Sequence, residues 1–176
     1  MNGPGRPTRT GTDDADRAVT ALFRTHHLEL VRLAMVMVGD LATAEDVVQD
    51  AFERVHRRWY RLRDPGSGLA YARSTVLNGC RTVHRRSAVA RKYMPRLAGP
   101  SAPGPDTETA LADRGEMLTA LRGLPRRQRE VLVLRYYTDL DVAEIAATLR
   151  ISPGAVRSTT SRGLAALATS LGRTQS

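Results

Sequence analysis

A single cysteine, Cys80, excludes any disulfide within the 176-residue chain and leaves no cysteine cluster that could hold a structural zinc ion. A reducing cytoplasm is the matching compartment. Aromatic residues make up only 5% of the chain and alternating β-branched stretches are missing, which argues against a sheet and for helix almost throughout. The longest strongly apolar run, Leu33 to Val38, is far too short to cross a bilayer. The N-terminal residues lack the charged start and apolar core of a signal peptide, so a soluble, cytoplasmic protein with no membrane span is expected. Catalytic patterns are missing too. There is no HExxH, no paired-carboxylate constellation and no Cys/His arrangement, which speaks against a small nuclease or recombinase. His26 and His27 have no partner at metal-ligand spacing, and His56 and His84 stand singly among arginines. Neither a catalytic residue, a metal nor a cofactor is expected.

Positive charge is what the chain has in excess. The formal net charge is +9, and because Lys92 is the only lysine, nearly all of it is arginine. The planar guanidinium fork suits phosphate and guanine, so a polyanionic partner is implied.

Along the chain the charge is unevenly placed. Residues 1–12 are rich in Gly, Pro, Thr and Arg without an apolar period and read as disordered. A first helix is expected from the acids at Asp13 to Asp16, with Val19, Leu22, Phe23, His26, Leu30, Leu33, Ala34 and Met37 along it and Gly39-Asp40 at its end. A second spans Asp40 to Leu62, with Thr43 as its expected N-cap. Its inward stripe is Val47, Val48, Ala51, Phe52, Val55 and Trp59, and Glu45, Asp46, Gln49, Asp50 and Glu53 face out. On a basic protein that acidic face is either a solvated surface or a dock for a basic partner; composition leaves both open.

Arg63 to Gly68 reads as a loop. Behind it a helix over Gly68 to Arg86 buries Leu69, Ala72, Val76, Cys80 and Val83 and leaves Tyr71, Asn78, Arg81 and His84 as polar or stacking groups. No acid occurs between Asp64 and Asp106, while Arg73, Arg81, Arg85, Arg86, Arg91, Lys92 and Arg96 accumulate. Such a run is either a solubilising face or a holder of phosphates and splayed bases of a single strand. Residues 94–107 have the Pro/Gly/Ser composition of a linker. Beyond them Leu111, Met117, Leu118 and Leu121 precede a break at Gly123-Leu124-Pro125, and RRQREVLVLRYY packs Val131, Leu132 and Leu134.

The last stretch, Asp139 to Leu167, reads as two helices about a tight turn. Val142, Ile145, Ala146 and Leu149 recur at helical spacing, and the helix stops near Arg150. Ser152 is placed to accept from the first free amides of the next helix, and Pro153 suits its first position. Val156, Thr160, Leu164 and Leu167 form the expected buried stripe, with Arg157, Ser158, Thr159, Ser161 and Arg162 outside and no acid after Glu144. A helix with that face can lie in a major groove, where Arg reads guanine. An operator-binding regulator would satisfy this motif as well.

Three motifs in order narrow the choice: AEDVVQDAF, then YARSTVLNGCRTVHRR behind the loop, then LPRRQREVLVLRYY with VAEIAATLRISPGAVRSTTSRGLAAL. Over roughly Ala18 to Leu171 the chain resembles an extracytoplasmic-function (group IV) RNA polymerase sigma factor of the sigma-70 family. The resemblance implies an all-α fold of two small helical domains, region 2 over 13–93 and a helix-turn-helix region 4 over 108–173, joined by a flexible linker. It implies an initiation factor without enzymatic activity that binds core polymerase, recognises minus-thirty-five and minus-ten promoter elements and promotes opening. Asp46, Gln49, Asp50 and Glu53 would dock on the clamp helices of the largest subunit. Tyr71, Asn78, Arg81, His84, Arg85 and Arg86 would hold the minus-ten element, with Asn78 at the pocket of a flipped base. Arg157, Ser158, Thr159, Ser161 and Arg162 would read the minus-thirty-five element. The other implied partners are the flap of the second-largest subunit, promoter DNA as duplex and as non-template single strand, and an anti-sigma factor, with the free chain a monomer. The linker would thread through the polymerase and join modules too far apart to touch. The chain departs from the family pattern at Arg150, where glycine is usual, at Gly68-Leu69, where Trp-Leu is usual, and at Ser161, where a bulky or basic residue is frequent.

Overall fold

The computed structural model describes residues 9–62, 64–93 and 110–174, and among them places seven α-helices and no strand. Helices α1 (Arg9–Val38), α2 (Leu41–Leu62) and α3 (Pro65–Tyr93) pack against one another. The apolar period explains the assembly: Leu30, Leu33, Ala34 and Met37 of α1, Val48, Ala51 and Val55 of α2, and Ala72, Val76 and Cys80 of α3 are buried in one cluster.

Three boundaries differ from the reading of the sequence. Helix α1 begins at Arg9, ahead of the acid cluster; residues 1–8 and the linker at 94–107 lie outside the described residues. The cap of α2 is Asp40, not Thr43. One Asp40 carboxylate oxygen accepts from the Thr43 amide at 2.8 Å and from its hydroxyl at 2.6 Å, and these bonds hold the Asp40 carboxyl below its usual range. Two cap-type residues stood three apart, and the one that follows the left-handed Gly39 (φ 90°) won. The third difference is the supposed loop at Arg63 to Gly68, where the helix already starts at Pro65. Asp64 caps it by accepting from the Ser67 amide at 2.8 Å, and Pro65 takes the first helical position.

The remaining helices are α4 (Ala110–Gly123), α5 (Arg126–Tyr136), α6 (Val142–Leu149) and α7 (Pro153–Thr174). Val131, Leu134, Ile145, Leu149 and Val156 form their core. The start of α6 is a capping box, Asp141 accepting from the Glu144 amide at 2.7 Å and the Glu144 carboxylate accepting from the Asp141 amide at 2.8 Å.

The two halves touch in the free chain. Helix α1 packs on α4 and α5, and α3 on α6. The C-terminal carbonyls of α1, which have no partner within the helix, draw hydrogen-bond donors from elsewhere. Met37 O accepts from His84 Nε2 at 2.7 Å and from Arg129 Nη1 at 3.1 Å, and Arg122 Nη2 lies 3.4 Å from Met35 O. The guanidinium groups of Arg122 and Arg129 there also suit the helix dipole.

Candidate nucleic-acid and partner interface

The chemistry sits on three helical faces. On α2, Glu45, Asp46, Gln49, Asp50 and Glu53 are all exposed, opposite the buried stripe. Helical spacing does this, since the exposed and buried sets are interleaved at three- and four-residue steps. The same helix then changes sign. Arg54, Arg57, Arg58 and Arg61 recur at i, i+3, i+4 and i+7 and, with Tyr60 and Tyr71, line a hollow of about 400 Å³. Arg58 lies over the Tyr71 ring at 5.6 Å, and Arg61 over that of Tyr60, which is 65% exposed, at 5.3 Å. Sequence reasoning passed over these four arginines, although their stripe was a visible signal.

On α3, Asn78, Arg85 and Arg86 are exposed and Tyr71, Arg81 and His84 half-buried. Arg81 is not a free cation. Its Nε and Nη2 donate to the two carboxylate oxygens of Glu130 at 2.7 and 2.8 Å, and its Nη1 to Asn78 Oδ1 at 2.9 Å. The bond to Glu130 raises the Arg81 pKa, outweighing the opposing effect of burial. Arg73, counted in the basic run, is likewise committed, donating to Glu29 Oε1 at 2.7 Å. The lone thiol of Cys80 points into the core, and burial pushes its pKa up to about 12, which makes it a packing residue and not a nucleophile.

The α6–α7 pair has the geometry of a helix-turn-helix. Arg150 is left-handed (φ 54°, ψ 53°), and the turn closes with Ile151 N donating to Ala146 O at 3.0 Å. Ser152 Oγ accepts from the Ala155 amide at 3.1 Å and starts α7, as the Ser-Pro signal requires. Arg157, Ser158, Ser161 and Arg162 are exposed side by side. Thr159 is not with them: it is only 6% exposed, on the core side with Val156. The buried line of α7 runs through Val156, Thr159 and Gly163, where a Cβ would stand 3.1 Å from Leu132 Cδ1, and Leu164 is exposed. The expected stripe through Thr160, Leu164 and Leu167 was rotated from this line by part of a turn, because a glycine that permits close packing carries no hydrophobic signal.

Among the described residues the chain is helical and combines an acidic face, a basic helix and a helix-turn-helix. Comparison with known proteins specifies it. Residues 22–96 match the family described as Sigma-70 region 2, and residues 114–167 match Sigma-70, region 4. The chain is 36% identical over 146 residues to the RNA polymerase sigma-E factor of Streptomyces coelicolor, covering 82% of this chain and 80% of that protein. It is 33% identical over 144 residues to the ECF RNA polymerase sigma factor SigL of Mycobacterium tuberculosis, covering 78% and 80%. Two solved structures share the fold: CnrH in complex with the cytosolic domain of CnrY, at TM-score 0.67 and 24% identity over 92% of this chain and 95% of that one, and the sigma factor RpoE in complex with the anti-sigma factor NepR from Bartonella quintana, at TM-score 0.69 and 21% identity over 94% and 98%. The chain belongs to the ECF group of the sigma-70 family of RNA polymerase sigma factors. It is therefore an alternative sigma factor, an initiation factor for promoter recognition; sigma factors bind RNA polymerase and are not themselves enzymes. Among the described residues, no helix is long and apolar enough to cross a membrane.

Proposed function

We propose that the three faces divide the work of initiation. Asp46, Gln49, Asp50 and Glu53 dock on the clamp helices of the largest polymerase subunit, where an acidic surface is attracted and DNA is repelled. Tyr71, Asn78, Arg81, His84, Arg85 and Arg86 hold the non-template strand of the minus-ten element. The arginine stripe of α2 with Tyr60 continues this path, because stacking rings beside guanidinium groups accept unpaired bases and phosphates of any sequence. Arg157, Ser158, Ser161 and Arg162 read the minus-thirty-five element in the major groove. Thr159 supports that helix from inside. Residues 13–93 and 108–173 act as the two modules, with the flap of the second-largest subunit positioning the second.

The observation that carries this reading is the coexistence, in one chain matched by both sigma regions, of an exposed acidic α2 face and exposed basic faces on α3 and α7. The free chain works as a monomer in the cytoplasm, where polymerase is. An anti-sigma factor fits as a further partner, since one protein of similar fold, the sigma factor RpoE, is held in a complex with the anti-sigma factor NepR. The test is in vitro transcription from genomic fragments with purified core polymerase. Start sites that require this chain are the expected result; tight operator-like binding to duplex with no effect on transcription would point instead to an ordinary regulator.

A further inference from the structure

Helices α2 and α3 carry the acidic face and the basic, strand-holding face, and at one point they approach more closely than two side chains would allow. A methyl group built on Gly79 of α3 would stand 2.8 Å from Val47 Cγ1 of α2, nearer than carbon atoms come without repulsion, with Val47 Cγ2 at 3.6 Å and Cβ at 3.7 Å. Ala44 and Ala51, one turn to either side of Val47, are fully buried, so α2 presents small side chains along this line. The missing side chain of Gly79 lets the backbone of α3 rest on a γ-methyl group of Val47.

Val47 has nowhere to go. It is buried, and a β-branched side chain in a helix is held to one strongly preferred χ1 rotamer. Room for a side chain at position 79 would have to come from moving α3 away from α2, by roughly half an ångström or more before ordinary contact is restored. Functional groups flank the contact on both helices. Asp46 stands next to Val47 and Asp50 one turn on, both exposed. Asn78 stands next to Gly79, and its Oδ1 accepts from Arg81 Nη1 at 2.9 Å, so both groups ride on the same turn of α3. A shift at Gly79 therefore moves Asn78 and Arg81 relative to Asp46 and Asp50, while the acidic face, which lies on α2 alone, keeps its shape.

We propose that Gly79 is a positioning residue for promoter opening: by resting on Val47 it sets the distance between the polymerase dock on α2 and the strand-holding groups of α3. It acts through Asn78 and Arg81 and rests on the reading of those residues as part of the minus-ten site. A site that holds a base has to be placed within roughly half an ångström of its working geometry. One methyl group at position 79 is enough to spoil that.

The test uses the full-length chain, purified core polymerase and a genomic fragment that the wild-type chain transcribes. Capture of core polymerase reads the dock, and permanganate reactivity of unpaired thymines reads opening. Gly79→Ala, whose better helix propensity offsets part of the crowding, should capture core polymerase as the wild type does. It should open the promoter roughly tenfold less, since misplacement by 1 Å can cost about a hundredfold. Val47→Ala removes both γ-methyl groups and leaves Cβ, which at 3.7 Å is an ordinary neighbour for the new methyl. The double variant Val47→Ala/Gly79→Ala should therefore open as well as Val47→Ala alone, a rescue that two independent losses of stability, which would add, cannot give. Val47→Ile enlarges the same contact from α2 and should act in the direction of Gly79→Ala, which keeps the proposal testable if that variant does not fold. Normal opening by both crowded variants, a parallel loss of core capture and opening, or a double variant that opens no better than Gly79→Ala overturns the positioning role. Asn78→Ala, measured alongside, separates the two readings: normal opening by that variant overturns the assignment of Asn78 to the minus-ten site, and the action of Gly79 through it.

Discussion

A methyl group built on Gly68 would stand 2.8 Å from Cζ3 of Trp59 and 3.3 Å from Leu22 Cδ2. The indole of α2 is thus laid directly on the backbone of the first turn of α3, and α1 closes the contact. This is where the family's usual Trp-Leu gives way to Gly68-Leu69, and Trp59 fills space over the glycine from the neighbouring helix. Gly68→Ala should therefore destabilise by about 1–3 kcal/mol through overpacking, despite the better helix propensity of alanine. Gly115→Ala, where nothing lies within 4 Å of the new methyl, should stabilise by about 0.5–1 kcal/mol. Urea denaturation of the two variants checks both signs.

The acidic face of α2 makes the second prediction. Asp50 is exposed, so Asp50→Arg should leave the helical circular dichroism and melting temperature unchanged. Capture of core polymerase should fall about tenfold, roughly 1.4 kcal/mol. Unchanged capture would return this face to the status of a solvated surface.

How much of this could be read in the residues depends on the range of the interaction. The inward stripe and acidic face of helix α2 were legible because Val48, Ala51 and Val55 repeat at the helical period and the acids fill the gaps between them. The start of α3 was hidden because Pro65-Gly66-Ser67-Gly68 has the composition of a turn, and only the Asp64 side-chain bond reveals a capped helix. Ser152 and Pro153 announced α7 correctly, being a local signal. The pairing of Arg81 with Glu130 spans 49 positions, and each residue alone resembles an ordinary surface charge. Nothing local could show it.

On α7, proposed above to read the minus-thirty-five element, burial separates candidate readers from supports. Arg157→Ala and Arg162→Ala should each cost about 1–3 kcal/mol at their matching bases and leave stability nearly unaltered. Thr159, facing the core, should behave in reverse. Thr159→Arg places a charge against Val156 and the α5 packing and should unfold the C-terminal half, so loss of its footprint would accompany loss of helicity. A Thr159→Arg chain that folds normally but reads a different promoter would put Thr159 back on the outer face.

The Cys80 thiol gives an alkaline signature. Its pKa moves from 9.0 to about 12 on folding, chiefly through burial. The folded state holds the proton more tightly than the unfolded one, so this contribution is fully present below pH 9.0, fades above it and is lost by about pH 12. Cys80→Ala should flatten that part of the stability profile measured by denaturant midpoints. A thiol reagent should label the unfolded chain quickly and the native chain only as fast as it opens.

Arg150 ends α6 in the left-handed region at φ 54°, in the position where the family usually has glycine. A side chain other than Asn or Asp is strained there by about 1–2 kcal/mol. The arginine makes the turn without relieving this strain, since the closing bonds are formed by backbone: Arg150 N donates to Ala146 O, and so does Ile151 N at 3.0 Å. Glycine would keep those bonds and remove the clash. Arg150→Gly should therefore raise the stability of the C-terminal half by about 1 kcal/mol, less the extra freedom glycine gives the unfolded chain. Because Arg150 is exposed at the turn that leads into α7, its charge is available as a phosphate contact if α7 lies in the groove as proposed. Arg150→Gly would then gain in melting temperature while its duplex affinity falls and its salt dependence lessens by about one ion. Gain in stability with unchanged affinity and salt slope would mean that the arginine contributes nothing to DNA binding.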